Sequence, residues 1–332
     1  MHPAAFHSAF FFVVKGAGTL GMWCSFRVRF HSNDVSNLSV LFNESTDERI
    51  INRYAYLTQW ERFMTFGPSD HTFVLCAYKE SPFLEECLQS LLAQTVKTDV
   101  LIATSTPCEA TRSLSRRYDV PLHVREGKSG IADDWNYAVS CATTPLVTIA
   151  HQDDTYEPDY VAHLLAAANK VDNLLIYFTN YGELRNGEKN DDNRLLRVKR
   201  MLLAPLKDGK LSSSCWLRRR VLSVGSPVCC PSVTLNMTNL PAVPFEKIFK
   251  CDLDWDAWER YSRLPGDYYY DSTVLMHHRI HEGSETTALI KDDTRTHEDF
   301  EMLCRFWPRP LARIVNRIYG KSQTNNNVKE AQ

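Results

Sequence analysis

His151-Gln152-Asp153-Asp154 follows the apolar run Leu146-Val147-Thr148-Ile149-Ala150, so two adjacent carboxylates stand where a buried strand would end. In an open α/β sheet the carboxyl ends of the strands face the crevice that takes ligands. Hard oxygen donors at such a place suit Mg²⁺ or Mn²⁺, which bridge phosphate oxygens. The chemistry this implies is a metal-held nucleotide diphosphate and a group transferred from it. A plainer reading stands beside it: adjacent aspartates also cap helices, and Pro158 sits where a first turn would begin.

Three more groups bear on the same question. Asp254 and Asp256 lie two apart beside Trp255 and Trp258, at the entrance of a helix read over 252–264. One ionised carboxylate there could act as general base on a hydroxyl; otherwise the segment is a capped amphipathic helix. His281 follows the strand-like Leu275-Met276 and opens a Gly/Ser loop. A neutral imidazole could complete the coordination of Mn²⁺, and Arg279, Ser284 and Thr286 could hold phosphate oxygens. Gly130 precedes a helix start in Gly127-Lys128-Ser129-Gly130, which permits close backbone approach to a ligand. The segment contains neither GxxxxGK[ST] nor GxGxxG, so neither a P-loop nor a dinucleotide fold is supported.

Elements must bring these groups together. Phe73–Ala77, Asp99–Ala103, Leu122–Val124 and Leu146–Ala150 read as strands. Between them, Ser81-Pro82 caps a helix carrying Leu84, Cys87, Leu88, Leu91 and Leu92 at helical spacing, and Asp133–Ala142 is a second helix. Strands alternating with helices imply a mostly parallel sheet covered on both faces. Asn180–Asn193 reads as a polar loop, and Arg194–Arg200 and Arg218-Arg219-Arg220 as solvated helix faces or sites for an anionic acceptor or membrane. Val233-Thr234-Leu235 is a short strand. A helix near 48–66 is expected, and the tail from Lys321 reads as disordered.

The chain has 332 residues, 44% hydrophobic and 23% charged, which is room for one large domain or two modest ones. A formal net charge of -2 gives no reason to expect nucleic-acid binding. The ten cysteines form no CxxC pair, and several sit in apolar positions, which suits buried thiols in a reducing compartment. The run Ala9–Val14 is shorter than a typical secretory core, and no stretch reaches transmembrane length. A cytoplasmic protein is therefore expected.

The ordered series resembles a known family. It runs from the strand ending Ala77-Tyr78-Lys79-Glu80 through Gly130…Trp135-Asn136 and His151-Gln152-Asp153-Asp154. It continues through Asp254-Trp255-Asp256-Ala257-Trp258 to Arg279-Ile280-His281-Glu282-Gly283-Ser284-Glu285-Thr286. Over residues 71–290 it is similar to the family 2 glycosyltransferases of bacteria, closest to a cytosolic subgroup with HQDD. The resemblance implies the GT-A fold of nucleotide-diphospho-sugar transferases, an α/β open, mostly parallel sheet flanked by helices. It implies a nucleotide-binding half over 71–165 and an acceptor and catalytic half over 166–290. Residues 1–70 would be an extension and 291–332 C-terminal helices and tail.

The implied activity is inverting transfer of a sugar from a nucleotide-diphosphate sugar to a hydroxyl acceptor (polysaccharide, glycan or lipid-linked), with Mn²⁺ or Mg²⁺. Ala77, Tyr78 and Glu80 would line the nucleoside site, and Trp135, Asn136, His151 and Gln152 would complete the donor pocket with Gly130. Thr104-Ser105 falls where the family has a base-reading aspartate. Asp153 would be the principal metal ligand, with Asp154 beside it and His281 as the late ligand. Asp254 falls at the catalytic aspartate, preceded here by Leu253 rather than Glu, with Asp256 in reserve. Two rival readings remain: a metal-dependent hydrolase of a phosphate or sugar ester, and a non-catalytic nucleotide-sugar-binding protein. Leu311, Ile314, Val315 and Ile318 form a stripe among Arg313, Arg317 and Lys321. It either packs on the catalytic domain or makes peripheral contact with the inner face of a membrane.

Overall fold

The computed structural model describes residues 65–281 and 294–323; the helix expected near 48–66 and the loop carrying Ser284 and Thr286 fall almost wholly outside them. The first half is a run of parallel strands, β1 (His71–Ala77), β2 (Asp99–Thr104), β3 (Leu122–Val124) and β4 (Leu146–His151). They are joined over α1 (Leu84–Leu92), α2 (Glu109–Tyr118) and α3 (Ile131–Cys141). Alternate side chains of one strand enter different cores. Phe73 and Leu75 pack with Leu84, Leu88 and Leu91 of α1, whereas Val74 packs with Ala138 and Val139 of α3. Both faces are covered, which is why these strands read as continuous apolar runs rather than alternating ones.

After β4 the chain forms β5 (Thr155–Tyr156), α4 (Tyr160–Ala168), β6 (Leu174–Arg185), β7 (Glu188–Asn190) and α5 (Arg194–Leu203). It continues through α6 (Cys215–Val221), β8 (Val233–Asn236), α7 (Leu253–Tyr261), β9 (Asp267–Ile280), α8 (Thr294–Cys304) and α9 (Arg309–Gln323). The strand order is β3-β2-β1-β4-β8-β6-β9-β5, with β7 on β6. β8 pairs antiparallel with both β4 and β6, while β6 and β9 are parallel, so the second half is a mixed sheet continuing the parallel first.

The segment expected to be a polar loop is instead the end of β6, its hairpin and β7. Asn186 and Gly187 both take positive φ, 51° and 85°, as a two-residue hairpin turn requires. The Asn-Gly pair was the sequence signal for this hairpin. The polar residues before it are strand residues because β9 satisfies their backbone and local partners satisfy their side chains. Glu183, for example, accepts from Arg185 Nε at 2.9 Å. Arg218 likewise departs from a solvated face. It is 1% exposed, stacks over Tyr268 and donates to the carbonyls of Gly266 and Leu264, which closes the turn before β9.

Candidate active site

The ends of β1, β2 and β4 are level. Ala77 pairs in register with Thr104, and Cys76 with His151, so the residues just beyond them share one edge of the sheet. Gln152 ties two of these ends together. Its Oε1 accepts from Tyr78 N at 2.9 Å and its Nε2 donates to Tyr78 O at 3.1 Å. Thr104 is buried and accepts from Thr106 N, and Thr106 Oγ1 accepts from Lys79 N at 2.6 Å. Asp134 gathers the next loop, accepting from Ser105 Oγ (3.0 Å), Arg125 Nε (2.8 Å) and Gly130 N (3.3 Å). Tyr78 and Glu80 stay exposed beyond these braces.

Trp135 projects from α3 and stacks on His151, with ring centroids 5.1 Å apart. The Nε2 of His151 is buried without a hydrogen-bond partner, and burial holds its pKa below the ordinary histidine value. Asn136 points elsewhere. It exchanges two hydrogen bonds with the backbone of Phe245, at 2.7 and 3.0 Å, and so braces the 241–252 segment instead of lining the donor pocket.

The turn after β4 separates the two aspartates. Asp153 is partly exposed, and its Oδ1 accepts from Ser81 Oγ at 3.0 Å. Ser81 was expected to cap α1; its hydroxyl instead serves Asp153 and accepts from Phe83 N at 3.3 Å. The other oxygen, Oδ2, lies 3.3 Å from His281 Nε2, so residues 128 apart in sequence share one spot. His281 also lies against the ring of Phe83, with centroids 5.1 Å apart.

Asp154 departs from the expected ligand role. It is 1% exposed, and its Oδ1 accepts from His278 Nδ1 and Arg279 N, each at 2.9 Å. It fastens the end of β9 beside the end of β4. Arg279 also departs from its expected phosphate contact. Its Nε donates to Asp153 O at 2.8 Å, one Nη donates to Glu86 at 2.6 Å, and its guanidinium lies over Phe83. It clamps the Asp153 turn to α1.

Burial opposes charge on both Asp154 and His278, yet their attraction prevails and leaves Asp154 below and His278 above its ordinary value. The imidazolium's contribution to stability is complete below its unfolded pKa of about 6.5 and fades as pH rises through the higher folded value. That of Asp154 is complete above about 3.9 and fades as pH falls through its lower folded value. The melting-temperature deficit of His278→Gln should therefore be largest near about pH 5–6 and shrink as pH is raised past the folded pKa of His278. A deficit that is flat from pH 5 to 9 would contradict this pairing.

Asp254 is the second residue of α7, and its Oδ1 accepts from Trp255 N at 2.8 Å. Burial raises its pKa, moderated by that hydrogen bond and by the charges of Arg295 and Lys199. Lys199 turns inward from α5 and donates to Tyr181 Oη at 2.8 Å. Asp254 and Asp154 both push the Cys230 thiol up, after burial itself, so these two carboxylates lie on either side of one cysteine's surroundings. Asp256, two residues on, does not join them. It is 0% exposed and ion-paired with Arg260 Nε at 2.9 Å and Arg305 at 2.7 Å. A reserve base at this position is thus corrected to a buried structural anion.

His278 and Lys199 were not singled out from the sequence. His278 lies in a His-His-Arg run that shows nothing locally of Asp154, and Lys199 is hidden in a basic helix whose Arg194 and Arg197 face solvent.

The sheet order, the level strand ends and the carboxylates beyond β4 define a nucleotide-sugar-transferase fold of the GT-A class. Residues 72–224 match the family model described as Glycosyl transferase family 2. An uncharacterized glycosyltransferase of Rickettsia typhi is 22% identical over 228 residues, covering 66% of this chain and 66% of its own length. One from Rickettsia prowazekii is 22% identical over 237 residues, covering 69% of each. Among solved structures, the mannosyltransferase PcManGT of Pyrobaculum calidifontis, in complex with GDP-Man and Mn²⁺, superposes with TM-score 0.53 at 15% identity. That superposition covers 84% of this chain and 82% of the other. TarS 1-349 of S. aureus gives TM-score 0.51 at 11% identity, covering 79% and 75%.

Proposed function

We propose that the protein transfers a sugar from a nucleotide-diphosphate sugar to an acceptor hydroxyl by a single, inverting displacement that depends on a divalent cation. The observation that supports this reading is a half-buried carboxylate at the entrance of α7, Asp254, whose charge acts on the Cys230 thiol together with that of Asp154 at the end of β4. Asp254 takes the proton of the acceptor hydroxyl, and its raised pKa makes it the stronger base. One base and one open face of the sugar mean one displacement, hence inversion.

Asp153 and His281 fit half of a metal site. They pair one carboxylate oxygen with one imidazole nitrogen, and the described residues contain no group of three or more ligating side chains. Mg²⁺ and Mn²⁺ are commonly held by one or two protein ligands, with substrate phosphates and water filling the rest. A cation bound there would offset the negative charge that grows on the leaving diphosphate. Ser81 and Arg279 fix the Asp153 turn, and Trp135 with His151 forms an aromatic wall beside it. A hydrolase acting through the same carboxylates would consume nucleotide sugar at full rate without acceptor, and nothing in the geometry favours it.

A thermal-shift screen of nucleoside diphosphates and nucleotide sugars, with and without Mn²⁺, tests the site. A matching donor at about 100 times its Kd should stabilise by ~2.7 kcal/mol, a rise of about 5–10 °C for a domain of this size. Asp153→Ala should lose the Mn²⁺-dependent part of that rise. If the variant keeps the metal-dependent shift in full, Asp153 is not a ligand.

A further inference from the structure

We propose that α9, together with Trp216 of α6, is a docking face for an anionic lipid surface. The sequence stripe Leu311, Ile314, Val315 and Ile318 is split by the fold. Ala312, Val315 and Tyr319 turn inward, with Ala312 fully buried and the Tyr319 ring 5.8 Å from Trp255. Leu311, Ile314 and Ile318 occupy successive turns of the outer face and are 48%, 54% and 67% exposed. The helix is therefore amphipathic twice over. Its inner stripe already has a partner, so packing on the domain does not account for the outer one.

The outer stripe does not stand alone. Trp216 is 69% exposed, and the Arg220 guanidinium lies over its ring at 6.0 Å and over Trp307 at 5.2 Å, just before α9 begins. Arg313 and Arg317 are exposed beside the stripe, and the sequence of α9 contains no acidic residue. In a chain of net charge -2 this is a local concentration of cations around exposed aliphatic side chains and a tryptophan. A helix of that kind lies in the headgroup plane of an anionic bilayer, its apolar side chains entering the acyl boundary and its arginines meeting lipid phosphates. No helix among the described residues is long and apolar enough to cross a membrane, so the contact is interfacial. A second copy of the chain fits less well, because a two-fold contact through α9 would set arginine against arginine. The inference does not depend on the transferase reading.

The experiment is co-sedimentation of the full chain with vesicles of equal parts phosphatidylglycerol and phosphatidylcholine, and with phosphatidylcholine alone. Sedimentation velocity without lipid is run in parallel. The expected result is binding to the anionic vesicles only, weakened by salt. Arg313→Glu with Arg317→Glu should weaken it by about tenfold or more, as should Leu311→Ser with Ile314→Ser and Ile318→Ser. These side chains are exposed, so melting temperature and near-UV circular dichroism should match the parent chain. Equal binding by the variants, no binding by the parent chain, or a lipid-free dimer dissolved by the same substitutions would each overturn the proposal.

Discussion

Asp254→Asn is expected to lower kcat/KM for transfer by about 10²–10⁴-fold while leaving the protein at least as stable as the parent at pH 7. The two halves of this result have one cause. Burial raises the Asp254 pKa, so the folded state holds the proton more tightly than the unfolded chain. Stability is then lost as pH rises from the ordinary carboxylate value of about 3.9 through the folded value. Asparagine carries no charge to bury, and its amide oxygen can still accept from Trp255 N. Activity should be measured as sugar transfer, and stability by melting temperature on the same preparation. The acidic limb of the kcat/KM profile should also lie above the ordinary aspartate range and vanish in the variant. A variant that keeps most of the activity, or that melts well below the parent, would remove Asp254 from the role of base.

Asp256→Ala should do the reverse. Its carboxylate is fully enclosed, and Arg260 and Arg305 reach it from α7 and from the end of α8. Removing one member of a buried ion pair leaves the other charges uncompensated, at a cost of about 3–5 kcal/mol. Both arginines keep some exposure, so the lower end applies. A loss of ~3 kcal/mol lowers the melting temperature by about 6–12 °C for a domain of this size. Below that temperature the folded variant should retain transfer activity within about tenfold of the parent. Together the two substitutions separate acids that the sequence sets two positions apart in one helix.

The contrast between Asp254 and Asp256 shows how far local reading reaches. Both precede an apolar helix face and both suit a base. What separates them is Arg305, 49 residues further on, which α8 delivers to Asp256 and not to Asp254. The same holds for the Asp153-Asp154 pair. The apolar run before them announced a strand end, and the next turn exposes one carboxylate and buries the other. Asp154 meets His278 and Arg279, 124 and 125 residues away, only because β5 pairs antiparallel with β9.

The sequence by itself determined the parallel half of the sheet, the position of the acidic turn at its carboxyl edge and the helix that follows Asp252. These follow from apolar periodicity and strand-end placement, which are properties of a few neighbouring residues. The tertiary structure alone decided which acids reach solvent and that Arg279 and Asn136 act as braces. It also decided that the outer stripe of α9 remains uncovered. The burial of these acids and the two braces depend on partners brought from about 50 to 190 positions away, and an ionisable side chain's role is set by the burial and charges around it, not by its own identity.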